Sequence, residues 1–401
     1  MKNILPAINK INNDKKGAFY LFDIGQLYKW CDVLNEELDN KLSGRARLVY
    51  AIKANPFLTV YMNNKVDKFE VCSPGEFEIC MKQNIPTSKI VFSGVYKSKE
   101  NIERIFENGF EGVVTLESVA HFELLREVIS EKNITKVRVL PRLSSGNKFG
   151  MDEETIINII RDVALDGRFE IDGIQFFSGT QKKKIKIIAD ELAYVDSFCE
   201  KVKTETGITI TNIEYGPGFY YDYYSNENHI EYFTEVIEEI KKYTGRYSFE
   251  LESGRFMSAG CGNYITSIVD VKKTFDKNYI LVDGGIHHVN YYGRMLGMNV
   301  PKVSHIKKTE QGYELSNNEK GETYEVTGAL CTVNDVLLKG YSLDNPKVDD
   351  LLVFHDTGAY SCTESSVLFL SRDIPRVFTL MPTGEVVLLR DRIDSYRINC
   401  G

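Results

Sequence analysis

The sequence predicts an α/β fold: a (β/α)8 TIM-like barrel followed by a C-terminal all-β domain. The first observation is an alternation of two patterns between about residue 47 and residue 255. Short runs of β-branched or aromatic residues, typical of strands, alternate with stretches whose apolar residues recur every three to four positions, typical of helices. The second is that this helical periodicity largely stops after Arg255. The third is the length of 401 residues, which accommodates one large barrel and a smaller domain.

Eight strand-like runs and six helix-like stretches make up the alternating region. The strands are predicted at Arg47–Lys53, Lys68–Cys72, Lys89–Ser93, Gly112–Leu116, Lys136–Leu143, Glu170–Phe177, Ile208–Tyr215 and Tyr247–Leu251. The helices are predicted at Glu76–Lys82, Lys99–Glu107, Val119–Glu131, Glu154–Val163, Ile185–Val202 and Ile230–Tyr243. Such alternation implies a parallel sheet with right-handed crossovers, and eight units over roughly 200 residues fit a closed barrel. A doubly wound open sheet has the same alternation, so the strand count does not exclude it.

The region after Arg255 is predicted to consist of strands separated by turns of Gly, Asn and Asp. Its strand-like runs are Ala259–Lys272, Tyr279–Asp283, Tyr313–Leu315, Glu325–Ala329, Leu351–His355 and Arg376–Met381. Another strand-like run, Ala18–Phe22, precedes the barrel. We therefore predict a barrel over residues 28–263 and a β domain formed by residues 1–27 and 264–401.

The composition argues against several classes of protein. An apolar content of 43% is too high for a disordered chain, and no apolar run is long enough to cross a membrane. With 49 Lys and Arg against 57 Asp and Glu, we expect no binding to nucleic acid or to anionic membranes. The polar segment Met1–Lys16 does not have the pattern of a signal peptide. Scattered cysteines predict reduced thiols in the cytoplasm, with neither a disulfide framework nor a zinc site.

The chemistry of a barrel enzyme gathers at the C-terminal ends of its strands, and here the first strand ends on a lysine. The run Tyr50-Ala51-Ile52-Lys53 places an amine directly after apolar residues. If the stem of this lysine is buried in the barrel mouth, desolvation favours the neutral amine, which is a nucleophile. The alternative is an ordinary solvated lysine at a strand end.

Small residues follow three late strands, and an arginine lies beside them. The turns contain Gly179-Thr180, Gly216-Pro217-Gly218 and Gly254-Arg255. Glycines let backbone N–H groups approach an anion closely, and the guanidinium adds a positive charge. Because phosphate sites in such barrels lie near the last strands, these turns predict a phosphorylated cofactor. Each turn alone would also be an ordinary connection between a strand and a helix.

Two further residues near strand ends suit a flat aromatic cofactor. The carboxylate of Glu252 is able to keep a pyridine nitrogen protonated, which makes such a ring an electron sink. The ring of Phe177 is able to stack on it. The alternatives are an ion pair between Glu252 and Arg255, and ordinary barrel packing for Phe177.

Seven motifs, in the same order, resemble the alanine-racemase-like (fold-type III) amino-acid decarboxylases that use pyridoxal 5'-phosphate. This family includes ornithine, arginine and diaminopimelate decarboxylases. The motifs span nearly the whole chain: Tyr50-Ala51-Ile52-Lys53, Gly173–Gln181, Gly216–Phe219, Glu252–Arg255, Asp283-Gly284-Gly285, Gly328–Cys331 and Gly358-Ala359-Tyr360. The resemblance implies a carboxy-lyase that acts on a small amino acid with pyridoxal phosphate as its cofactor.

The resemblance also implies a role for each matched residue. Lys53 forms the Schiff base with the cofactor, and Glu252 bonds the pyridinium nitrogen. Glu70 and Arg142 line the pyridine side of the site, and Phe177 stacks on the ring, where many relatives have histidine. The residues implied to hold the phosphate or to complete the cofactor-binding turns are Gly179, Thr180, Gly216, Gly218, Gly254, Arg255 and Tyr360.

Cys331 is implied to act from a second subunit. In the family this cysteine is supplied by the partner in a head-to-tail homodimer, and it protonates the carbanion of the product. The β domain would then complete both the active site and the dimer.

The substrate-side residues differ from those of the best-known members. Thr332 stands where diaminopimelate and ornithine decarboxylases have an acidic residue that meets the distal amino group. Asp335 is the alternative partner for such a group, unless it is solvated. Arg294 lies three residues beyond the family's arginine-then-proline pattern and is able to clamp a carboxylate or a phosphate, unless it is a surface residue. Tyr291 is a further candidate substrate contact.

Three alternatives stay open at the level of sequence. The motifs Asp283–His288, Glu252–Arg255 and Leu330–Thr332 resemble a secondary-metabolism branch that includes a decarboxylase of glutamyl groups tethered to an acyl carrier protein. This resemblance implies a carrier-bound or siderophore-type amino acid, although free diaminopimelate, ornithine or lysine stays possible. An amino-acid racemase would use the same lysine but needs a second base on the opposite face. A non-catalytic relative would be expected to lose Lys53, Glu252 or Cys331, and all three are present.

No metal site is predicted. The adjacent residues His287 and His288 would point in opposite directions if they lay on a strand, so they would not bind the same metal ion.

Overall fold

The computed structural model of the chain describes residues 1, 4–14, 17–225, 227–317 and 321–400. The chain forms two compact units. The first, which we call the barrel unit, comprises Trp30–Tyr221 and Asn228–Phe256. The second, which we call the β unit, comprises Met1–Lys29, Asp222–Glu227 and Met257–Gly401. The predicted domain limits at residues 28 and 263 stay a prediction.

Strands and helices alternate along the barrel unit, and strands dominate the β unit. The strands are β1 (Phe19–Asp23), β2 (Ala46–Ala51), β3 (Lys68–Val71), β4 (Ile90–Phe92), β5 (Val113–Leu116), β6 (Val137–Leu143), β7 (Phe169–Ile171), β8 (Ile174–Phe177), β9 (Asn212–Gly216), β10 (Ser248–Ser253), β11 (Gly262–Thr274), β12 (Lys277–Val282), β13 (Val303–Thr309), β14 (Gly312–Leu315), β15 (Glu322–Thr327), β16 (Val336–Leu343), β17 (Leu351–His355), β18 (Arg376–Leu380) and β19 (Val386–Arg390). The helices are α1 (Ile4–Asp14), α2 (Ile24–Leu42), α3 (Thr59–Met62), α4 (Pro74–Lys82), α5 (Lys99–Glu107), α6 (Val119–Glu131), α7 (Glu153–Leu165), α8 (Ile185–Thr206), α9 (His229–Lys241), α10 (Arg255–Ser258) and α11 (Tyr396–Asn399).

Parallel strands of the barrel unit close into a ring. Their order around it is β2, β3, β4, β5, β6, β8, β9 and β10, and β10 pairs back onto β2. The join aligns Leu251 with Leu48 and Glu252 with Val49. The predicted closed barrel is therefore confirmed, and the open doubly wound sheet is excluded, because an open sheet leaves two edge strands unpaired.

One predicted strand is broken in two. The run Glu170–Phe177 forms β7 and β8, which both pair with β6 but are separated at Asp172 and Gly173. A Cβ atom at Gly173 would lie 2.3 Å from the carbonyl oxygen of Asn212, so only glycine allows this close approach of β9. The break leaves β8 in register with β9, which brings Phe177 opposite Gly216 at the end of both strands.

Four barrel helices begin on a capping side chain directly after a strand or its loop. Ser73, Ser98, Ser118 and Asp152 each accept a hydrogen bond from the backbone N–H three residues further along, at the starts of α4, α5, α6 and α7. Such caps satisfy otherwise unpaired N–H groups and contribute about 1 kcal/mol each. They fix the loops at the end of the barrel where the candidate functional residues lie.

The β unit is built around a mixed sheet and a helix. Strand β1 runs antiparallel to β11 and parallel to β18, and β17 joins β11 to β13. Helix α1 supplies apolar residues to the core against this sheet; the fully or nearly fully buried members include Ile8, Phe19, Leu21, Ile265, Ile306 and Val353. Burial of such side chains contributes about 1.5–3 kcal/mol each.

Some elements of the β unit were not predicted. Strands β13, β16 and β19 and helix α1 fell outside the predicted runs. In β13 three of the seven residues are His or Lys, which hides the strand pattern. His305 is nevertheless fully buried, because its ring nitrogen bonds the Asp350 carboxylate at 2.9 Å. Polar residues satisfied by such specific partners do not look like strand residues in the sequence.

Two surveys of the described residues bear on partners. No helix in the described ranges has the length and apolar content that a bilayer crossing requires. No group of three or more His, Cys, Asp or Glu residues within those ranges is arranged to hold a metal ion.

Candidate active site

Lys53 lies just beyond β2 and not within it. The residues Ile52–Ala54 form a turn of 3-10 helix, and Asn55 caps the next turn by accepting the backbone N–H of Phe57 at 3.1 Å. Pro56 begins that second turn, where its missing N–H costs nothing. The strand therefore ends before the lysine, and the turn directs its amine towards the neighbouring strand ends.

The Lys53 amine is held by two buried carboxylates. Its Nζ atom donates to Glu70 and, at 3.2 Å, to Glu252. The two glutamates come from β3 and β10, which flank β2 in the ring, so strand register alone brings them to the same amine. The side chains of Glu70 and Glu252 are only 5% and 10% exposed, whereas that of Lys53 is 37% exposed. The amine is therefore positioned by the protein and still accessible.

The two carboxylates differ in their affinity for a proton. Burial alone would raise the pKa of Glu70, but the nearby Lys53 ammonium and hydrogen bonds outweigh burial and lower it. Burial and the negative charge of Glu70 together raise the pKa of Glu252 well above its usual range. One ammonium thus faces two carboxyl groups, and Glu252 shares that cation with Glu70. A cationic ring nitrogen beside it would supply a second cation.

A thiol also reaches this lysine. The Cys72 sulfur lies 3.6 Å from the Lys53 amine and 3.2 Å from a Glu70 oxygen. Burial, and then the Glu70 charge, raise the pKa of this thiol far above its usual range, so it is an un-ionised hydrogen-bond donor. Cys72 is not among the site residues predicted from the sequence. Its position two residues after Glu70, on the same face of a strand, could have indicated that it lies near the lysine.

Arg142 and Phe177 lie close to each other on β6 and β8, which are neighbours in the ring. The Arg142 guanidinium bonds Glu117 at 2.8 Å, and both residues are buried. The same guanidinium lies 5.9 Å from the centre of the Phe177 ring. Glu117 was missed in the sequence, although it directly follows the strand-like run that ends at Leu116. The pair fixes a flat apolar ring near a permanently charged group.

The glycine turns after β8 and β9 touch each other. Gly218 has a φ of +61°, and a Cβ atom there would lie 2.0 Å from the carbonyl oxygen of Gly179. A Cβ atom at Gly179 would meet nothing within 4 Å, so open space lies over that turn. Arg255, at the start of α10, is 8% exposed. Close backbone, open space and a buried cation are the features of an anion cradle.

A buried network supports this cradle and was not predicted. Glu191 on α8 bonds Lys182 at 2.8 Å and Tyr215 at 2.6 Å, and it also accepts a hydrogen bond from Ser178. The backbone N–H of Lys182 donates to the carbonyl of Gly218 at 2.9 Å. Lys182 is the first of three consecutive lysines, a pattern typical of a surface, so the sequence gives no sign that it is buried.

We expect Gly218→Ala to weaken cofactor binding. An alanine in the left-handed region costs about 1–2 kcal/mol, and its Cβ atom must push the Gly179 turn away. The dissociation constant for pyridoxal phosphate should rise at least about tenfold, measured by fluorescence titration of the apoprotein. Gly167→Ala is the control, since a Cβ atom there meets nothing within 4 Å. Equal affinity in the two variants would contradict the cradle assignment.

In the β unit, the predicted Cys331 is exposed. Its loop is held by Asp335, whose carboxylate oxygens accept the backbone N–H groups of Ile286 and Leu330, both at 2.8 Å. Asp335 is 2% exposed, and its contact with a substrate amine stays a prediction.

Tyr291 is also buried, and its contact with a substrate stays a prediction. It is 5% exposed, and its hydroxyl donates to the carbonyl of His355 at 2.5 Å.

Two other predicted site residues of the β unit are half-buried. Tyr360 has a φ of +62°, an uncommon conformation for a residue with a side chain. Arg294 is half-buried, and one of its guanidinium nitrogens, Nη1, has no hydrogen-bond partner among the described residues.

The comparisons with known proteins agree with this geometry. The family described as pyridoxal-dependent decarboxylase, pyridoxal binding domain, matches residues 26–259. The L-glutamyl-[BtrI acyl-carrier protein] decarboxylase of Niallia circulans is 26% identical over 80% of this chain and 79% of that protein. The diaminopimelate decarboxylase of Campylobacter jejuni is 26% identical over 87% of each chain.

A solved structure shares the fold of the chain. The diaminopimelate decarboxylase of M. jannaschii superposes with a TM-score of 0.84 at 23% identity and covers 98% of this chain and 93% of its own. At this identity the likeness supports the fold alone. The family match, which spans more than half of the sequence, identifies the chemistry: the chain belongs to the pyridoxal-dependent decarboxylases and is an amino-acid carboxy-lyase whose cofactor is pyridoxal 5'-phosphate.

Proposed function

We propose that the chain removes the α-carboxylate of an amino acid at the mouth of its barrel, with Lys53 as the residue that binds the cofactor. The observation that carries this proposal is the Lys53 amine held between Glu70 and Glu252, both buried. A lysine in such a place binds a carbonyl carbon through its nitrogen. The matching residues of the family resemblance support the same assignment.

The residues present fit pyridoxal phosphate. Lys53 would hold its aldehyde carbon, and Glu252, which shares the Lys53 ammonium with Glu70, would hold the ring nitrogen. Phe177 would pack on the ring, with Glu70 and Arg142 on the pyridine side. The phosphate would be held by residues of the glycine turns and their neighbours: Gly179, Thr180, Gly216, Gly218, Gly254, Arg255 and Tyr360. When bound, the cofactor supplies a ring that accepts the electron pair released as CO2 leaves.

The protein residues control the protons of this reaction. Ionised Glu252 would keep a proton on the ring nitrogen of the bound cofactor. Glu70 holds the Lys53 amine in one position by a hydrogen bond. We assign Cys331 as the acid that returns a proton to the α-carbon, because a thiol is an effective proton donor near neutral pH.

The substrate is proposed to be an amino acid tethered to a carrier protein or made in secondary metabolism. Thr332 replaces the acidic residue that would meet a distal amine, and the relative from Niallia circulans acts on a glutamyl group on an acyl carrier protein. Arg294 would contact this substrate. The second candidate is a free diamino acid, since several relatives are diaminopimelate decarboxylases.

The test is CO2 release from amino acids offered free and as carrier-protein thioesters, with pyridoxal phosphate supplied. Release only from the tethered form would support the proposal. Turnover of free lysine, ornithine or diaminopimelate would favour the second candidate. Racemisation without CO2 from any substrate would contradict decarboxylation.

We also propose a homodimer in which each site combines Lys53 of one subunit with Cys331 of the other. Mixing Lys53→Ala with Cys331→Ala protein under conditions that exchange subunits should then restore about a quarter of the wild-type rate, because half of the dimers carry one intact site of two. Each variant alone should show only residual activity. No recovery in mixtures shown by native mass spectrometry to contain heterodimers would contradict shared sites.

A further inference from the structure

Two arginines lie beside the Cys331 loop without an ion-pair partner among the described residues. Arg294 has one guanidinium nitrogen that is buried and makes no hydrogen bond within those residues. Arg372 donates to the carbonyl oxygen of Ala329, two residues before the cysteine, at 2.8 Å. Both guanidinium groups act electrostatically on the same carboxylate, that of Asp335.

That carboxylate is already committed to the backbone. One oxygen accepts the backbone N–H of Leu330, within the Cys331 loop, and the other accepts that of Ile286, in the segment that follows β12. Glycines close around this carboxylate. A Cβ atom at Gly285 or at Gly328 would lie 2.7 Å or 2.3 Å from an Asp335 oxygen. At 2% exposure, Asp335 cannot meet an ammonium group that arrives from outside.

The local charge is therefore positive. Arg294 and Arg372 carry two positive charges against the single negative charge of Asp335. The neighbouring His287 adds none at neutral pH, because burial, followed by His288 and Arg372, lowers its pKa to about 3. A distal ammonium would be repelled by this pair of guanidinium groups, whereas a carboxylate or phosphate would be attracted.

We propose that Arg294 and Arg372 bind an anionic oxygen group of the substrate, so that this decarboxylase selects amino acids with an anionic distal end and rejects diamino acids. The inference rests on the proposed function in one respect, namely that the Cys331 loop borders the reacting α-carbon. The anion is either a distal carboxylate or the phosphate of a carrier's pantetheine arm. Both present the oxygen geometry that a guanidinium recognises.

The first experiment compares substrates of matched length with the holoenzyme. Glutamate is paired with ornithine, and 2-aminoadipate with lysine, each free and, for glutamate, as the phosphopantetheine thioester. We expect the anionic member of each pair to have at least a tenfold higher kcat/KM for CO2 release. Arg294→Gln and Arg372→Gln should each lower this value about ten- to a hundredfold, mainly through KM, because each removes a charged hydrogen-bond donor.

Glutamine and an exposed arginine serve as controls. Neither substitution should much affect the turnover of uncharged glutamine. A general structural defect, in contrast, would lower the turnover of glutamine and glutamate alike. Arg161→Gln removes an exposed arginine of the barrel unit that pairs with Glu205, and it should behave as wild type. Equal loss with glutamate and glutamine would overturn the proposal.

The second experiment measures binding without turnover, by calorimetry with glutarate, phosphopantetheine and cadaverine. Binding of glutarate that is lost in both arginine variants assigns the anion to the substrate side chain; binding of phosphopantetheine alone assigns it to the carrier arm. Either result would support anion binding by the two arginines even if no amino acid releases CO2. In that case the proposed function would be wrong, and this inference would not be. Binding of cadaverine without either anion, or anion binding that both variants retain, would overturn it.

Discussion

Lys53→Ala is expected to abolish decarboxylation, with a rate loss of at least about a thousandfold. In the proposed function this amine is the nucleophile that holds the cofactor, and no second lysine is bonded to both Glu70 and Glu252 in the described residues. The variant should still bind pyridoxal phosphate through the glycine turns, because the phosphate contacts are separate. Its absorbance should be that of the free aldehyde and not that of a lysine-bound cofactor.

The control for this variant is Lys41→Ala. Lys41 is a partly exposed lysine of the same barrel unit whose partner is Glu238, at 2.8 Å. It should keep both the absorbance and the rate of the wild type, since an exposed ion pair contributes only about 0–1 kcal/mol. Lysine-bound absorbance and CO2 release in Lys53→Ala would show that another amine binds the cofactor.

Glu252→Gln is expected to lower the rate about 100- to 1,000-fold while leaving the cofactor bound. A glutamine cannot carry the negative charge that keeps the ring nitrogen protonated, so electrons leave the α-carbon less readily. The loss should appear in kcat, and Glu238→Gln, the exposed partner of Lys41, should retain the wild-type kcat. Equal kcat in Glu252→Gln and wild type would contradict the assignment of this residue to the ring nitrogen.

The same substitution should stabilise the apoprotein at high pH. Burial and Glu70 raise the pKa of Glu252 in the folded state above the value of an unfolded glutamate. The folded state therefore favours the protonated form, and its stability falls as the pH rises through the interval between the unfolded and folded pKa values. Glutamine has no charge to lose, so Glu252→Gln apoprotein should melt higher than wild type at pH 8 and close to it at pH 5.

Thermal melting at the two pH values checks this expectation. Greater stabilisation at pH 5 than at pH 8 would reverse the sign of the effect and would show that Glu252 is ionised more easily in the folded state than in the unfolded one. A loss of activity together with a gain of apoprotein stability is the combination expected of a residue kept for chemistry and not for packing.

The barrel and the centre of the site could be predicted because both depend on local patterns. Alternating strand-like and helix-like sequence patterns predict the order of the elements. Parallel strands in a ring then bring their C-terminal ends to the same end of the barrel. Lys53, Glu70 and Glu252 could thus be placed near one another from strand order alone. The break between β7 and β8 could not, since it depends on a close approach of Gly173 to Asn212, far away in sequence.

Contacts made through specific partners escaped prediction for the same reason. Lys182 belongs to a run of three lysines that is typical of a surface, yet it is buried because it pairs with Glu191 on the following helix. Asp335 looked like a candidate for a substrate amine, but two backbone N–H groups already occupy its oxygens. Sequence shows which residues could do chemistry, whereas the three-dimensional partners decide which are still available for it.

The sharing of one ammonium between Glu70 and Glu252 ties the lifetime of the protein to the supply of its vitamin-derived cofactor. Freshly made chains fold with two carboxyl groups on a single cation. Loading then stabilises the folded form by mass action, about 2.7 kcal/mol at a hundredfold excess over the dissociation constant. Cells starved of vitamin B6 should therefore hold less of this enzyme, because the unloaded chains unfold and are degraded more often. Nutrient status would set abundance without any dedicated regulator.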